Sequence, residues 1–204
     1  MKRPWYVVPT LLATWALGLR GVLGGISNIA FLRAPRLPDV EAAARSAREL
    51  GDPKSFVELA QAVVLQGIHD LARVTFPLSI AQLLLAGLLL VASALAMGGR
   101  KGAHSLALQA IAANGALAIA AYALTSPVRD AWIDAVVQIA SALPEARPER
   151  VTLGSRAALV WLNRLELVTV ELGVLALTAF ALTRARARSY FAAIAEANER
   201  AEDR

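Results

Sequence analysis

Cysteine is absent from the 204 residues, which excludes disulfides, thiolate-held zinc and iron–sulfur clusters. Histidine occurs only twice, at His69 and His104. Charge is scarce: 18% of residues are Asp, Glu, Lys or Arg, against about 25% in a soluble domain. Aromatic residues make up 6%, and no basic patch is interleaved with them, so nucleic acid is not an expected partner. H-E-x-x-H, G-x-S-x-G, a Walker loop and G-x-G-x-x-G are all missing. These absences remove the usual sequence signatures of a metalloenzyme, a serine hydrolase or a nucleotide-binding enzyme. A non-enzymatic protein with no metal and no cofactor is therefore the expectation.

What the chain has is oil. Hydrophobic residues make up 57%, and the mean hydropathy is +0.52. Twenty-six residues between Arg73 and Arg100 carry no charge, and neither do 27 residues between Lys101 and Arg129. About 20 apolar helical residues cross a hydrocarbon core about 30 Å thick. Neither run shows the polar stripe of a water-facing helix. Two more apolar runs are interrupted: Trp5–Leu32 by Arg20, and Ala157–Thr183 by Asn163, Arg164, Glu166 and Glu171. The first follows Met1-Lys2-Arg3, but it is too long for a cleaved leader and lacks a clear small-x-small site. The expected fold is thus an all-α integral membrane four-helix bundle, one domain over 1–204. Its spans fall near 5–32, 77–98, 104–125 and 157–183.

Four spans put both termini on one side. The segments on that side hold nine Lys/Arg in 31 residues, while the opposite segments hold ten in 74. Density of basic residues near the spans therefore places both termini in the cytoplasm. Arg outnumbers Lys 18 to 3 in an alanine-rich chain, a composition associated with GC-rich bacterial genomes, hence with a bacterial inner membrane.

The outer segments, 38–75 and 127–143, read as amphipathic helices capping the outer side. Asp39 caps a helix that Gly51 stops, and Asp52-Pro53 opens a second one. Phe56, Leu59, Val63, Gly67 and Leu71 line its apolar face. It is expected to run directly into span 2 with a kink at Pro77. His69, on the polar face, reads as solvated. Ser126-Pro127 opens a helix lined by Trp132, Val136, Ile139 and Leu143, Pro144 to Pro148 breaks the chain, and Ser155 caps span 4. His104 sits at the interfacial start of span 3. The cytoplasmic tail, 184–204, is expected to continue span 4, with Arg184, Arg186 and Arg188 anchored at headgroups and Tyr190, Phe191 and Ile194 dipping in.

Small residues mark close helix approach: Gly21 and Gly25 in span 1, and Ala112, Ala116 and Ala120 in span 3. Polar groups then fall at one depth. At about 1.5 Å per residue, Arg20 rises about 22 Å from Trp5, and Glu171 and Glu166 lie about 20 and 27 Å above Arg184. Gln82 and Asn114 lie about 27 and 21 Å above Arg100. An unpaired charge at membrane depth costs about 2.5–3.5 kcal/mol on insertion scales, so Arg20 is expected to pair with Glu171. At 100° per residue, Arg164 and Glu171 share a face and Glu166 points about 140° away from Glu171. Glu166 has two candidate partners, Arg164 of a neighbouring chain, or Arg20 if span 4 is shifted. The layer of Arg20, Gln82, Asn114, Asn163, Arg164, Glu166 and Glu171 reads either as glue fixing helix register or as a proton, cation or solute site.

The functional expectation is an accessory, assembly or interaction subunit. Membrane lipid is one partner, and a second copy or a partner membrane subunit is another. The alternative is a small transporter or channel using Arg20 and Glu171.

Overall fold

The computed structural model describes residues 4–50, 53–100, 102–142 and 155–202. Lys2, Arg3, the Gly51 stop, the Asp52 cap, Lys101, Leu143 and the Pro144–Pro148 break lie outside them, as does the side chain of Ile139. All described elements are helices: α1 (Val7–Arg33), α2 (Val40–Leu50), α3 (Pro53–Asp70), α4 (Ala72–Met97), α5 (Ala103–Leu124), α6 (Ser126–Ala142), α7 (Arg156–Glu166), a π-wound stretch (Leu167–Leu172), α8 (Gly173–Thr183) and α9 (Ala185–Glu202). Four helical stretches are long and apolar enough to cross a membrane: Val7–Arg33, Ala72–Met97, Ala103–Leu124 and Arg156–Thr183.

The chain divides into two compact units. The first comprises Met1–Asn28, Ser79–Ala120 and Leu167–Arg204. Within it α1 runs antiparallel along α4, because glycines on α1 let the backbones meet. A methyl at Gly25 would sit 3.0–3.1 Å from Leu83, one at Gly21 would sit 2.6 Å from the Ala86 Cβ, and one at Gly18 would sit 3.1 Å from the Ala86 carbonyl and the Leu90 nitrogen. Gly18, Gly21 and Gly25 thus form a single groove on α1, three and four residues apart, into which α4 fits.

The circuit continues through α5 and α8. Gly99 and Gly102 take positive φ, 68° and 74°, in the turn between α4 and α5. Arg100 N–H reaches the Leu95 carbonyl and Gly99 N–H that of Ala96, the paired bonds of a Schellman ending whose left-handed residue suits glycine. Asn114 joins α5 to α4, His104 joins α5 to α8, and Thr178 joins α8 back to α1. Val7, Leu11, Leu89, Ala107, Ile111 and Leu182 lie in the buried core. The outward faces carry Leu23, Ile26, Leu84, Val91, Ile119 and Leu177, all exposed. An apolar exterior this extensive is unlike that of a soluble monomer and suits lipid.

Within the chain itself, Ala112, Ala116 and Ala120 do not supply the packing face of α5. All three are exposed, and Ala103, Ala107, Ala110 and Ile111 are the α5 residues that pack. The stripe of small residues chosen by spacing lies on the opposite side of α5 from its described neighbours. The tail is also corrected. It is helical, but it does not prolong span 4, because Arg184 is extended (φ −62°, ψ 143°) and separates α8 from α9. The apolar residues Ala187 and Phe191 then fold onto the bundle core.

The second unit comprises Ile29–Leu78 and Ala121–Glu166. Asp39 accepts the Ala42 N–H at 3.0 Å and starts α2. Ala47 of α2 and Leu59 of α3 form one buried cluster. Gly67 of α3 admits Val128 of α6, whose methyl would lie 3.0 Å from an added Cβ. Ile133 and Val136 of α6 meet Leu159 of α7. Ser155 Oγ accepts the Ala158 N–H and caps α7. The junction of α3 and α4 differs from expectation. The break is at Leu71, and Pro77 lies inside α4. Thr75 Oγ1 ties the two helices by donating to the Ile68 and Leu71 carbonyls at 2.9 and 3.1 Å.

Gly21→Ala and Gly25→Ala are expected to destabilise the protein by about 1–3 kcal/mol through overpacking. At Gly24 an added methyl meets only the Gln82 side-chain nitrogen at 3.4 Å, so Gly24→Ala leaves stability unchanged or raises it. Thermal unfolding in detergent separates the three variants.

Candidate functional site

Thr14, Thr178, Asn114 and Ser93, within the apolar crossings of the first unit, hydrogen-bond to their own or neighbouring helices. Thr14 of α1 and Thr178 of α8 are both fully buried, and their hydroxyls lie 2.7 Å apart. Thr178 Oγ1 also lies 3.1 Å from the Thr10 carbonyl and 2.9 Å from that of Val174. Thr14 Oγ1 lies 3.0 Å from the Thr10 carbonyl. Two hydroxyl protons are thus shared among four acceptor groups, so neither oxygen is stranded in the core. On the other side of the bundle, Asn114 Nδ2 donates at 2.8 Å to the Leu85 carbonyl of α4 and to the Ala110 carbonyl of its own helix. Ser93, also buried, donates to the Leu89 carbonyl at 2.7 Å.

The Thr14–Thr178 contact fixes the register of α1 against α8. Six residues from Thr14 and seven from Thr178, Arg20 and Glu171 each stand about 10 Å along antiparallel helices. They therefore share a level. Arg20 is rotated about 120° from Thr14 around α1 and is exposed, whereas Glu171 is half-buried. Neither is without a partner. Gln82 is half-buried, with its amide nitrogen packed over Gly24.

Asn163, Arg164 and Glu166 belong to the second unit. Asn163 Nδ2 donates to the Leu159 carbonyl of its own helix at 3.1 Å. The Arg164 guanidinium carbon lies 5.8 Å from the Trp161 ring centroid. Arg164 and Glu166 are exposed, and Glu166 has a partner. Also in this unit, Arg156 pairs with Asp134 at 3.0 Å and approaches Asp130 at 3.9 Å. All three are exposed enough for water to screen them.

The π winding of Leu167–Leu172 was not visible from residue spacing. It lies between Glu166 and Gly173 and includes Glu171. A π turn is wider than an α turn, so the 100° count that placed Arg164 and Glu171 on one face does not hold across it. Gly173 closes the stretch. A methyl there would stand 3.1 Å from the Val168 carbonyl, a position that glycine leaves open. Thr10, Thr14 and Thr178 were also missed. Their signal was a hydroxyl residue at helical spacing inside otherwise aliphatic runs.

Of the two histidines, His69 differs from expectation. His104 has specific partners: its Nε2 lies 3.0 Å from the Leu182 carbonyl, and its ring stands 5.2 Å from the Phe191 ring. It caps a carbonyl in the last turn of α8, one of four without an intrahelical partner. His69 is half-buried, not solvated, and its Nδ1 is buried with no hydrogen-bond partner among the described residues. Among the described residues no group of three or more His, Asp or Glu is placed to hold a metal ion.

A double-mutant cycle on Thr14→Val and Thr178→Val is expected to return a coupling of about 0.5–2 kcal/mol, the range of interhelical hydrogen bonds in membranes. Asn114→Leu costs a similar amount, because the Leu85 contact is lost. Unfolding in detergent measures both.

In comparison with known proteins, the chain matches no family model, no curated protein and no solved structure.

Proposed function

We propose that this is a small multi-pass integral membrane protein of non-enzymatic type, acting as an accessory or assembly subunit whose outer faces meet lipid and partner helices. The observation that carries the reading is how Thr14, Thr178, Asn114 and Ser93 are used: each hydrogen-bonds to its own or a neighbouring helix of the chain. Polar groups spent in this way fix helix register. Exposed apolar side chains such as Leu23, Leu84 and Ile119 leave broad lateral surfaces for lipid, a partner subunit or a second copy. The density of Lys and Arg near the crossings supports cytoplasmic termini, and the Arg-rich, alanine-rich composition supports a bacterial inner membrane.

One observation favours a second reading, a small transporter or channel. The π-wound stretch holds the half-buried Glu171 within an apolar crossing, and π turns recur at functional sites. Intramembrane carboxylates are also default candidates for proton or cation sites.

Proteoliposomes carrying an internal pH dye separate the readings. A subunit of the first kind leaves proton leakage at the rate of empty vesicles, and Glu171→Gln lowers the unfolding temperature alone. Proton flux that Glu171→Gln abolishes without unfolding the protein establishes the second reading. Gly173→Ala, which crowds the Val168 carbonyl, then also reduces flux. For partner contact, a photo-crosslinker replacing exposed Leu23 is expected to capture a membrane protein or a second copy, whereas one at buried Ala110 captures neither.

A further inference from the structure

Unit 1 gathers three helix ends at one place. Arg184, after α8, lies against Tyr6, just before α1. His104, in the first turn of α5, meets Leu182 in the last turn of α8. At this end the surface changes character within one helical turn. Leu177 and Phe180 are exposed and apolar, and Arg184, Arg186 and Arg188 follow, all exposed.

Arg184 is held in a particular way. Its guanidinium carbon lies 4.7 Å from the Phe180 ring centroid and 5.7 Å from that of Tyr6. A guanidinium held within cation–π range of two rings keeps N–H donors around its edge, where a phosphate takes two of them at once. The backbone is fixed as well. Arg184 is extended, and its carbonyl receives the N–H groups of both Ala187 and Arg188 at 3.0 Å. Ala187 and Phe191 pin α9 to the core, so Arg186 and Arg188 stand on an anchored helix. Trp5, exposed and edge-on to Tyr6 at 6.1 Å, adds an aromatic of the kind that settles at headgroup depth.

We propose that this end of unit 1 binds the phosphate of an anionic phospholipid, with Arg184 as the anchoring cation and Arg186 and Arg188 supporting it. The apolar flank of Leu177 and Phe180 lies where the acyl chains of such a molecule begin, and the change from exposed oil to clustered guanidinium matches the boundary of a charged leaflet. A soluble anion uses the charge but not the flank. The proposal rests on the reading that the four apolar helices cross a membrane.

The test is native mass spectrometry of the full-length protein released from vesicles containing equal parts phosphatidylglycerol and phosphatidylcholine. The wild type is expected to retain phosphatidylglycerol in preference, with the preference falling about fivefold for each arginine removed. The triple variant Arg184→Ala, Arg186→Ala, Arg188→Ala loses it. Arg184→Lys keeps the charge but not the planar fork of N–H donors, and falls well below wild type. If Arg184→Ala fails to fold, the double variant Arg186→Gln, Arg188→Gln leaves Arg184 in place and still lowers the preference. Equal retention of the two lipids by the wild type overturns the proposal, as does full preference in the triple variant. Displacement of the lipid by millimolar inorganic phosphate also overturns it, by making the site one for free anions. A protein that enters no vesicle of either composition overturns the membrane reading beneath it, a result distinct from lost headgroup preference.

Discussion

A hydroxyl or amide that cannot reach water must find its partner among the helices around it, and the first unit is organised by that demand. An unsatisfied group in an apolar interior costs several kcal/mol. Thr14, Thr178 and Asn114 meet the requirement by bonding across helix boundaries. Each such bond does two things. It removes the cost, and it selects one register out of the many that smooth aliphatic surfaces would permit. Glycines at 18, 21 and 25 supply the complementary element, since contact between α1 and α4 at this range is possible only where side chains are missing.

The same demand governs where the backbone departs from α geometry. Leu71, the turn around Gly99 and the extended Arg184 all stand at the margins of apolar crossings, where breaks can be hydrated or capped. His104 shows the second solution, with a ring nitrogen closing a carbonyl near the end of α8. Within a crossing, the departure at Leu167–Leu172 is a π turn. That winding lengthens the hydrogen-bonded ring without leaving the helix, so the backbone remains paired.

The apolar crossings were legible because their signal is a long run with little charge, and length alone nearly suffices to place them. Expected span 3, 104–125, and the observed α5, Ala103–Leu124, differ by a residue at each end. Helix starts with a side-chain cap were also legible: Asp39 and Ser155 bond to the first turns of α2 and α7. Facing was harder. In α5 the small residues lie all around the helix, so spacing alone had no means of preferring Ala103, Ala107 and Ala110 over Ala112, Ala116 and Ala120. Residue counting gives a polar side chain's height along its own helix and nothing more. Which partner a side chain takes depends on its angle about the helix, and the π turn shifts that angle without altering composition. The break at Arg184 was hidden for a similar reason: alternating Ala and Arg are good helix formers, and only the packing of Phe191 against His104 marks the change of direction.

The contact between Thr14 and Thr178 joins positions 164 residues apart. During synthesis, α4 and α5 meet across a turn of a few residues and can pair as soon as both have emerged, while α1 can already lie against them. The seam between α1 and α8 stays open until the chain has been made as far as Thr178. Closing it is then a late assembly step, and a chain truncated before the fourth crossing would leave the hydroxyl of Thr14 without its interhelical partner.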